Sequence, residues 1–228
     1  MKNKFNYKKV LYFFAHPDDE TLSAGGTIHK MRRFNIDVKI VIASKGLSSR
    51  SIPIKSESEN HIKDLIEACS ILGIKKNNIL IGDFKDNAFD SEPLLNLAKF
   101  FTEILKDFNP DAVFTHHKYC TNIDHKYCFE AALLATRPLD GLLIDLFSCE
   151  TLSSTSFNRP NQFDPNFFSI LLKEDIEAKK RAIGKFRYEN RKFPHMRSKK
   201  FIDISAQYRG AQIGTNYAEA FSVNNLFN

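Results

Sequence analysis

The sequence predicts an α/β protein, with a doubly wound, mainly parallel sheet and a C-terminal cap region. Three observations carry this expectation. Near-continuous apolar runs of strand length, led by Val10 to Ala15, read as strands buried on both faces. These runs alternate with longer stretches of helical periodicity, the order that produces parallel pairing. Polar loops rich in Asp, His and Gly recur after the strands, and parallel order gathers those loops at one end of the sheet.

The elements follow in order. Val10 to Ala15 is the first strand. Thr21 to Phe34 is predicted helical from its apolar positions Leu22, Ile28, Met31 and Phe34, and Asp37 to Ala43 is a second, β-branched strand. Ser44 to Arg50 is a loop at the same strand end as His16. A helix from about Ser56 ends at Gly73, placed as the C′ glycine. Asn78 to Gly82 is a short strand, followed by the polar loop Asp83 to Asp90. Pro93 opens a helix as a first-turn residue, and Asn109-Pro110 stops it after Phe108. Asp111 to Thr115 is a fourth strand, running through His116 to His125 into a helix over Tyr127 to Thr136. Leu142 to Cys149 is the fifth apolar run. From Glu150 the texture changes: loops, a strand over Phe167 to Leu171, an amphipathic helix over Lys173 to Arg187, a turn over Phe193 to Ser198, and a last helix ending near Gly210 or Gly214. One domain over residues 1–228 is expected, with an α/β core over 1–149 and the cap and C-terminal helices over 150–228.

Composition narrows the class. A chain of 228 residues fits one large α/β domain. The balance of 33 basic and 27 acidic residues gives a net charge of +6. The basic residues are scattered, and their densest stretch, Lys179 to Lys200, is interrupted by apolar positions and reads as a solvated helix face. No recognition motif supports nucleic-acid binding. The four cysteines contain no C-x-x-C pair, which argues against a thiolate zinc site; Cys69 and Cys128 read as core thiols. There is no run of about 20 apolar residues for a membrane span, and Met1 to Lys9 lacks the apolar region of a signal peptide. The expected location is the cytoplasm. A monomer and a homo-oligomer are equally open.

The chemistry starts at Ala15-His16-Pro17-Asp18-Asp19-Glu20, on the turn leaving the first strand. Adjacent carboxylates repel unless a positive group sits between them, and a metal ion is a common one. A catalytic zinc takes three protein ligands and keeps a position open. His16 and Asp19 supply two candidates from one loop, and His125, after the fourth strand, is the best third. Asp18 would remain as a free base for water, and Asp124 is a candidate for orienting a ligand rather than binding metal. His116 and His117 could be strand-end surface residues; adjacent histidines cannot both face the same way, and the surface reading is favoured for His117.

The segment from Ala15 to Glu20 resembles the A-H-P-D-D-E signature of the PIG-L, or LmbE-like, family of N-acetylglucosaminyl deacetylases. Asn122-Ile123-Asp124-His125 resembles that family's second signature. Asp86-Asn87, Ser153-Ser154-Thr155, Pro194 to Ser198, Arg209-Gly210 and Ala218 to Phe221 resemble segments of one bacterial branch, so the likeness covers nearly the whole chain. The resemblance implies a Rossmann-like sheet and metal-dependent removal of the N-acetyl group from a glucosamine unit in a nucleotide-sugar, glycolipid or small glycoconjugate. It implies His16, Asp19 and His125 as ligands of zinc, with iron(II) as the alternative, Asp18 as general base, and Asp86 and Asn87 at the substrate.

Two departures alter details. Some members carry a His where this chain has Asn122, which donates a hydrogen bond but no charge; His195 is the candidate replacement imidazole. The family's Arg before an acid in the helix preceding Gly73 is here matched by His61 and Asp64, which leaves Arg50 and Arg197 as candidates for gripping a substrate anion. Rival readings lack support. A dinucleotide site needs a G-x-G-x-x-G pattern that is absent after the first strand. A glycosyltransferase would not need the two histidines as ligands. An iron(II) oxygenase with a 2-His-1-carboxylate set usually sits on an all-β scaffold. A non-catalytic carbohydrate- or nucleotide-binding protein keeping this fold is the main alternative to the hydrolase.

Overall fold

The computed structural model describes residues 6–46, 55–139, 141–157 and 161–227. Its elements are β1 (Lys9–Phe14), α1 (Asp19–Arg33), β2 (Asp37–Ser44), α2 (Lys55–Ile71), β3 (Ile79–Phe84), α3 (Leu94–Phe108), β4 (Ala112–His116), α4 (Ile123–Ala135), β5 (Asp145–Cys149), β6 (Phe167–Ile170), α5 (Lys173–Ile183), α6 (Lys199–Ala211) and β7 (Ala218–Asn225). The sheet runs β3-β2-β1-β4-β5-β7-β6. β1 to β5 pair in parallel, and β7 is antiparallel to both β5 and β6. The mainly parallel α/β fold is therefore as the sequence predicts.

β1 shows why the sheet is buried on both faces. Val10, Tyr12 and Phe14 point into one core with Leu22, Ile28, Leu65 and Ile176. Leu11, Phe13 and Ala15 point into the other with Phe101, Leu105 and Ala131. The Phe13 and Phe101 rings stack at 4.1 Å. The chain winds outward from β1 through β2 to β3, then crosses to the other side of β1 for β4 and β5. The order reverses between β1 and β4, so the loops leaving those strands part and leave a crevice.

Three elements differ from expectation. α4 begins at Ile123 rather than Tyr127, because Asn122 Oδ1 accepts from the backbone N–H groups of Asp124 (2.8 Å) and His125 (3.4 Å). That cap brings His125 into the first helical turn. α5 stops at Ile183, ahead of Gly184, and does not reach Arg187. The last third also does more than cap the core, since β6 and β7 complete the sheet. β7 is hard to see in sequence because its stretch Ala218-Glu219-Ala220-Phe221 places a carboxylate among buried strand positions.

Glu219 has a specific task. α1 kinks at Ala24 (φ −141°, ψ 15°), and Glu219 accepts from the N–H groups of Gly26 (3.0 Å) and Thr27 (2.7 Å) just past the kink. Lys179 Nζ lies 2.6 Å from the same carboxylate. A Cβ at Gly26 would come within 2.6 Å of Leu171 Cδ1, so Gly25-Gly26 serves close packing rather than a nucleotide. All four cysteines are buried and free. No described helix is long and apolar enough to cross a membrane.

Asp175 ties α1 to α5. It accepts from His29 Nδ1 (2.8 Å), from Arg33 Nε and Nη2 (3.0 and 2.8 Å), and from the Leu172 N–H (2.9 Å). Burial by itself would raise its pKa, but the bonds from His29 and Arg33 outweigh that and hold it below 3.8. Asp175→Ala should lower the unfolding free energy by about 2–3 kcal/mol in chemical denaturation at neutral pH. The carboxylate's contribution is complete above 3.8 and is lost as pH falls through the lower folded-state value. The gap between wild type and variant should therefore narrow in acid; a gap that stays constant or widens there would contradict this role.

Candidate active site

The crevice at the switch point holds a cavity of about 430 Å³, lined by residues that follow β1, β2, β3, β4 and β5, by His61 of α2, and by Glu189 and Arg197 of the last third. Its floor is the turn from β1 into α1. Asp18, the N-cap residue of α1, has φ 99°, a left-handed conformation uncommon for a side-chain-bearing residue and found at functional turns. The turn directs Asp18 and Asp19 along different paths. Asp19 Oδ2 accepts from the His16 N–H (2.9 Å) and faces three imidazoles, His16 Nδ1 at 3.4 Å, His125 Nε2 at 3.3 Å and His116 Nε2 at 3.4 Å.

Those separations permit a test of fit. Ligands held at about 2.0–2.1 Å around a tetrahedral ion lie about 3.3 Å from one another. His16, Asp19 and His125 can each offer one atom to a common centre, all three within 4.8 Å of one another, and the two measured edges match the tetrahedral one. The residues present suit a hard or borderline divalent ion with an open position.

Each imidazole is oriented from behind. His16 Nε2 lies 2.8 Å from Asp124 Oδ2 and 3.2 Å from Asp86 Oδ1, which leaves Nδ1 toward Asp19. Asp124 is buried and also accepts from the N–H groups of Asn87 (2.6 Å) and Phe89 (3.1 Å), so one carboxylate fixes both the β3 loop and His16. His125 Nδ1 lies 3.1 Å from Cys120 Sγ and 3.5 Å from Ser154 Oγ. The ring of His116 stacks on that of His125 at 3.6 Å and 14°. The Ala15 N–H donates to His116 Nε2 (3.0 Å), and His116 Nδ1 meets Thr151 Oγ1 (3.1 Å). With Nε2 already accepting, His116 is a neutral support rather than a further ligand.

The electrostatics follow this geometry. Burial works against charge on His16, but Asp124, Asp19 and Asp86 raise its pKa well above 6.5. His125, also buried, is raised to about 9 by Asp19 and Cys120. Burial and the neighbouring His125 push His116 down to about 3. Burial raises Asp18 far above the usual carboxylate range; Arg197, whose Nη1 lies 3.0 Å from Asp18 Oδ2, opposes this and Asp19 adds to it. Arg197 also pairs with Glu189. Burial raises Glu20 to about 7.

The structure brings His16, Asp18, Asp19, Asp86, Asn87, Asn122, His125 and Arg197 together on the cavity wall. It does not bring His195 there. That side chain is exposed, and its Nδ1 accepts from the Arg197 N–H (3.1 Å). Arg50 lies outside the described residues. His116 and His117 are both buried, which overturns the surface reading favoured for His117. His117 turns away from the cavity and packs edge-on against Phe163. Strand parity could have found His116: Ala112, Phe114 and His116 share a face of β4, and the first two are core residues. Cys120 and Glu189 gave no local signal, and Ser154 and His61 entered only through the family resemblance.

Comparison with known proteins places this geometry in context. The profile of the PIG-L family, described as GlcNAc-PI de-N-acetylase, matches residues 11–136. A probable N-acetyl-alpha-D-glucosaminyl L-malate deacetylase 2 of Bacillus cereus is 30% identical over 116 residues, covering 48% of this chain and 52% of the relative. A 1D-myo-inositol 2-acetamido-2-deoxy-alpha-D-glucopyranoside deacetylase of Thermomonospora curvata is 26% identical over 164 residues, covering 59% and 55%. The chain thus spans about half the length of these curated relatives. The solved N,N'-diacetylchitobiose deacetylase of Pyrococcus horikoshii shares the fold, with a TM-score of 0.76 at 22% identity, over 96% of this chain and 84% of that one.

The hold of Asp124 on His16 is directly measurable. Replacing Asp124 with Asn removes the hydrogen-bonded carboxylate that contributes most to raising the His16 pKa. The His16 pKa, followed by NMR titration of the metal-free protein, should fall toward or below 6.5. An unchanged value would show that Asp124 does not govern this ring.

Proposed function

The chain belongs to the PIG-L family, and we propose that it is a metal-dependent N-deacetylase acting on N-acetylglucosamine joined to a small polar partner. One observation carries the proposal: Asp19 lies at a tetrahedral edge distance from both His16 and His125, the three atoms gather within 4.8 Å, and the buried carboxyl of Asp18 stands beside them on the wall of one cavity. Zinc suits two imidazoles and a carboxylate, with iron(II) as the alternative occupant. When bound, such an ion supplies Lewis acidity, polarising the acetamide carbonyl and easing deprotonation of water.

The chain's own residues supply the rest. Asp18 accepts a proton from the attacking water as the oxygen bonds to the carbonyl carbon. It returns that proton to the sugar nitrogen as the C–N bond breaks, giving acetate and a free amine. Arg197, braced by Glu189, holds the Asp18 carboxyl in place. Asp86, Asn87 and Asn122 line the cavity where sugar hydroxyls would lie. The Nδ2–H groups of Asn122 are the uncharged donors we assign to the developing oxyanion, in place of His195, whose exposed side chain does not line the cavity. Residues 1–228 act as one catalytic domain on this account, since Arg197 from the last third reaches Asp18 in the first loop. Buried free thiols suit a reducing compartment, and we place the protein in the cytoplasm.

The relatives' names supply two probes, N-acetylglucosaminyl malate and the N-acetylglucosaminyl inositol. Amine release from either should depend on metal and disappear with a chelator. Asp18→Asn should keep the metal and lower kcat by about 100- to 10,000-fold. Binding of both sugars with no amine released by the metal-loaded wild type would leave a binding protein on this fold. A fully active Asp18→Asn would remove Asp18 as the base.

A further inference from the structure

We propose that Cys120 is the positioning residue for His125: its sulfur accepts the His125 Nδ1–H and so commits Nε2 to the metal. The inference rests on the metal reading of the cavity and extends it to a residue outside the ligand set.

Two contacts other than Cys120 constrain the ring. The Asn122 cap fixes the backbone of the first turn of α4. The His116 stack, at 3.6 Å and 14°, fixes the plane of the ring. Neither decides whether Nε2 or the ring carbon Cε1 faces Asp19, because a half-turn about the Cβ–Cγ bond exchanges those two atoms, and Nδ1 with Cδ2, while keeping both the backbone and the plane. Cys120 decides it. Its Sγ lies 3.1 Å from Nδ1, and the thiol donates onward to Ser154 Oγ at 3.1 Å. With the S–H directed at Ser154, the sulfur is left to accept. An accepting sulfur requires hydrogen on Nδ1, and the Nε2 lone pair is then free on the side of Asp19, 3.3 Å away.

Ser154 is itself held, since the Thr121 hydroxyl donates to the Ser154 carbonyl at 3.0 Å. Cys120 lies beyond the opposite edge of the ring from Asp19, which argues against the thiol as a ligand of the same ion. The two imidazoles are thus oriented by different chemistry, His16 by the carboxylate of Asp124 and His125 by a cysteine sulfur linked to a hydroxyl of the cavity wall.

The test compares wild type with Cys120→Ala and Cys120→Ser. Zinc affinity is measured by competition with a chromophoric chelator, and the His125 ring by nitrogen-15 NMR of the zinc-loaded proteins. Cys120→Ala should weaken zinc by about 10- to 100-fold and lose the hydrogen-bonded Nδ1–H signal. Cys120→Ser, which keeps an acceptor, should recover both. Zinc held equally well by wild type and Cys120→Ala would overturn the proposal, as would equal weakening in the Ala and Ser variants. A wild type that binds no zinc would end the metal reading and this inference with it, and that result is recognisable before any cysteine is changed.

Discussion

The structure is organised by a concentration of buried carboxylate at the point where strand order reverses. Asp18, Asp19, Asp86 and Asp124 converge within one crevice, with Glu20 just beneath. Carboxylates placed so closely away from water are tolerated only beside positive charge. Within the protein that charge comes from His16, His125 and Arg197, all held toward their cationic forms. A divalent ion at the spacing of His16, Asp19 and His125 would answer the same demand from a single centre. The turn with φ 99° at Asp18, the cap at Asn122 and the stacked His116 all serve to hold that cluster together.

The last third of the chain takes part in this centre. Arg197 and Glu189 close one side of the cavity, and the strand pair β6 and β7 anchors the segment that carries them to the main sheet. The same region steadies α1, whose first turn bears Asp19. Glu219 satisfies the N–H groups freed by the kink at Ala24, and Asp175 binds His29 and Arg33 farther along. The position of the first signature is therefore set partly by residues nearly two hundred positions away.

Much of this was legible in the sequence because the signals are local. Apolar runs marked β1, β2 and β4, Asn109-Pro110 marked the end of α3, and the run from His16 to Glu20 announced a charged turn at a strand end. What stayed hidden depends on contacts across the fold. β7 carries Glu219, whose burial is tolerable only with Lys179 beside it. The early start of α4 depends on a side-chain cap. Arg197 reads as a candidate for gripping substrate, yet in the fold it faces Asp18 and Glu189. No spacing rule links Cys120 to His125 as it links two ligands on one helix, so the support behind that ring depends on how the loop before α4 folds.

The central claim is that one loop and one distant helix turn share a single metal ion, so the most direct measurement is the metal content of the purified protein, wild type beside His125→Ala. The account predicts near-stoichiometric zinc or iron in the wild type and a sharp fall in a variant that remains folded. Wild-type protein that stays without metal after reconstitution, or a His125→Ala variant that holds metal as well as the wild type, would contradict it.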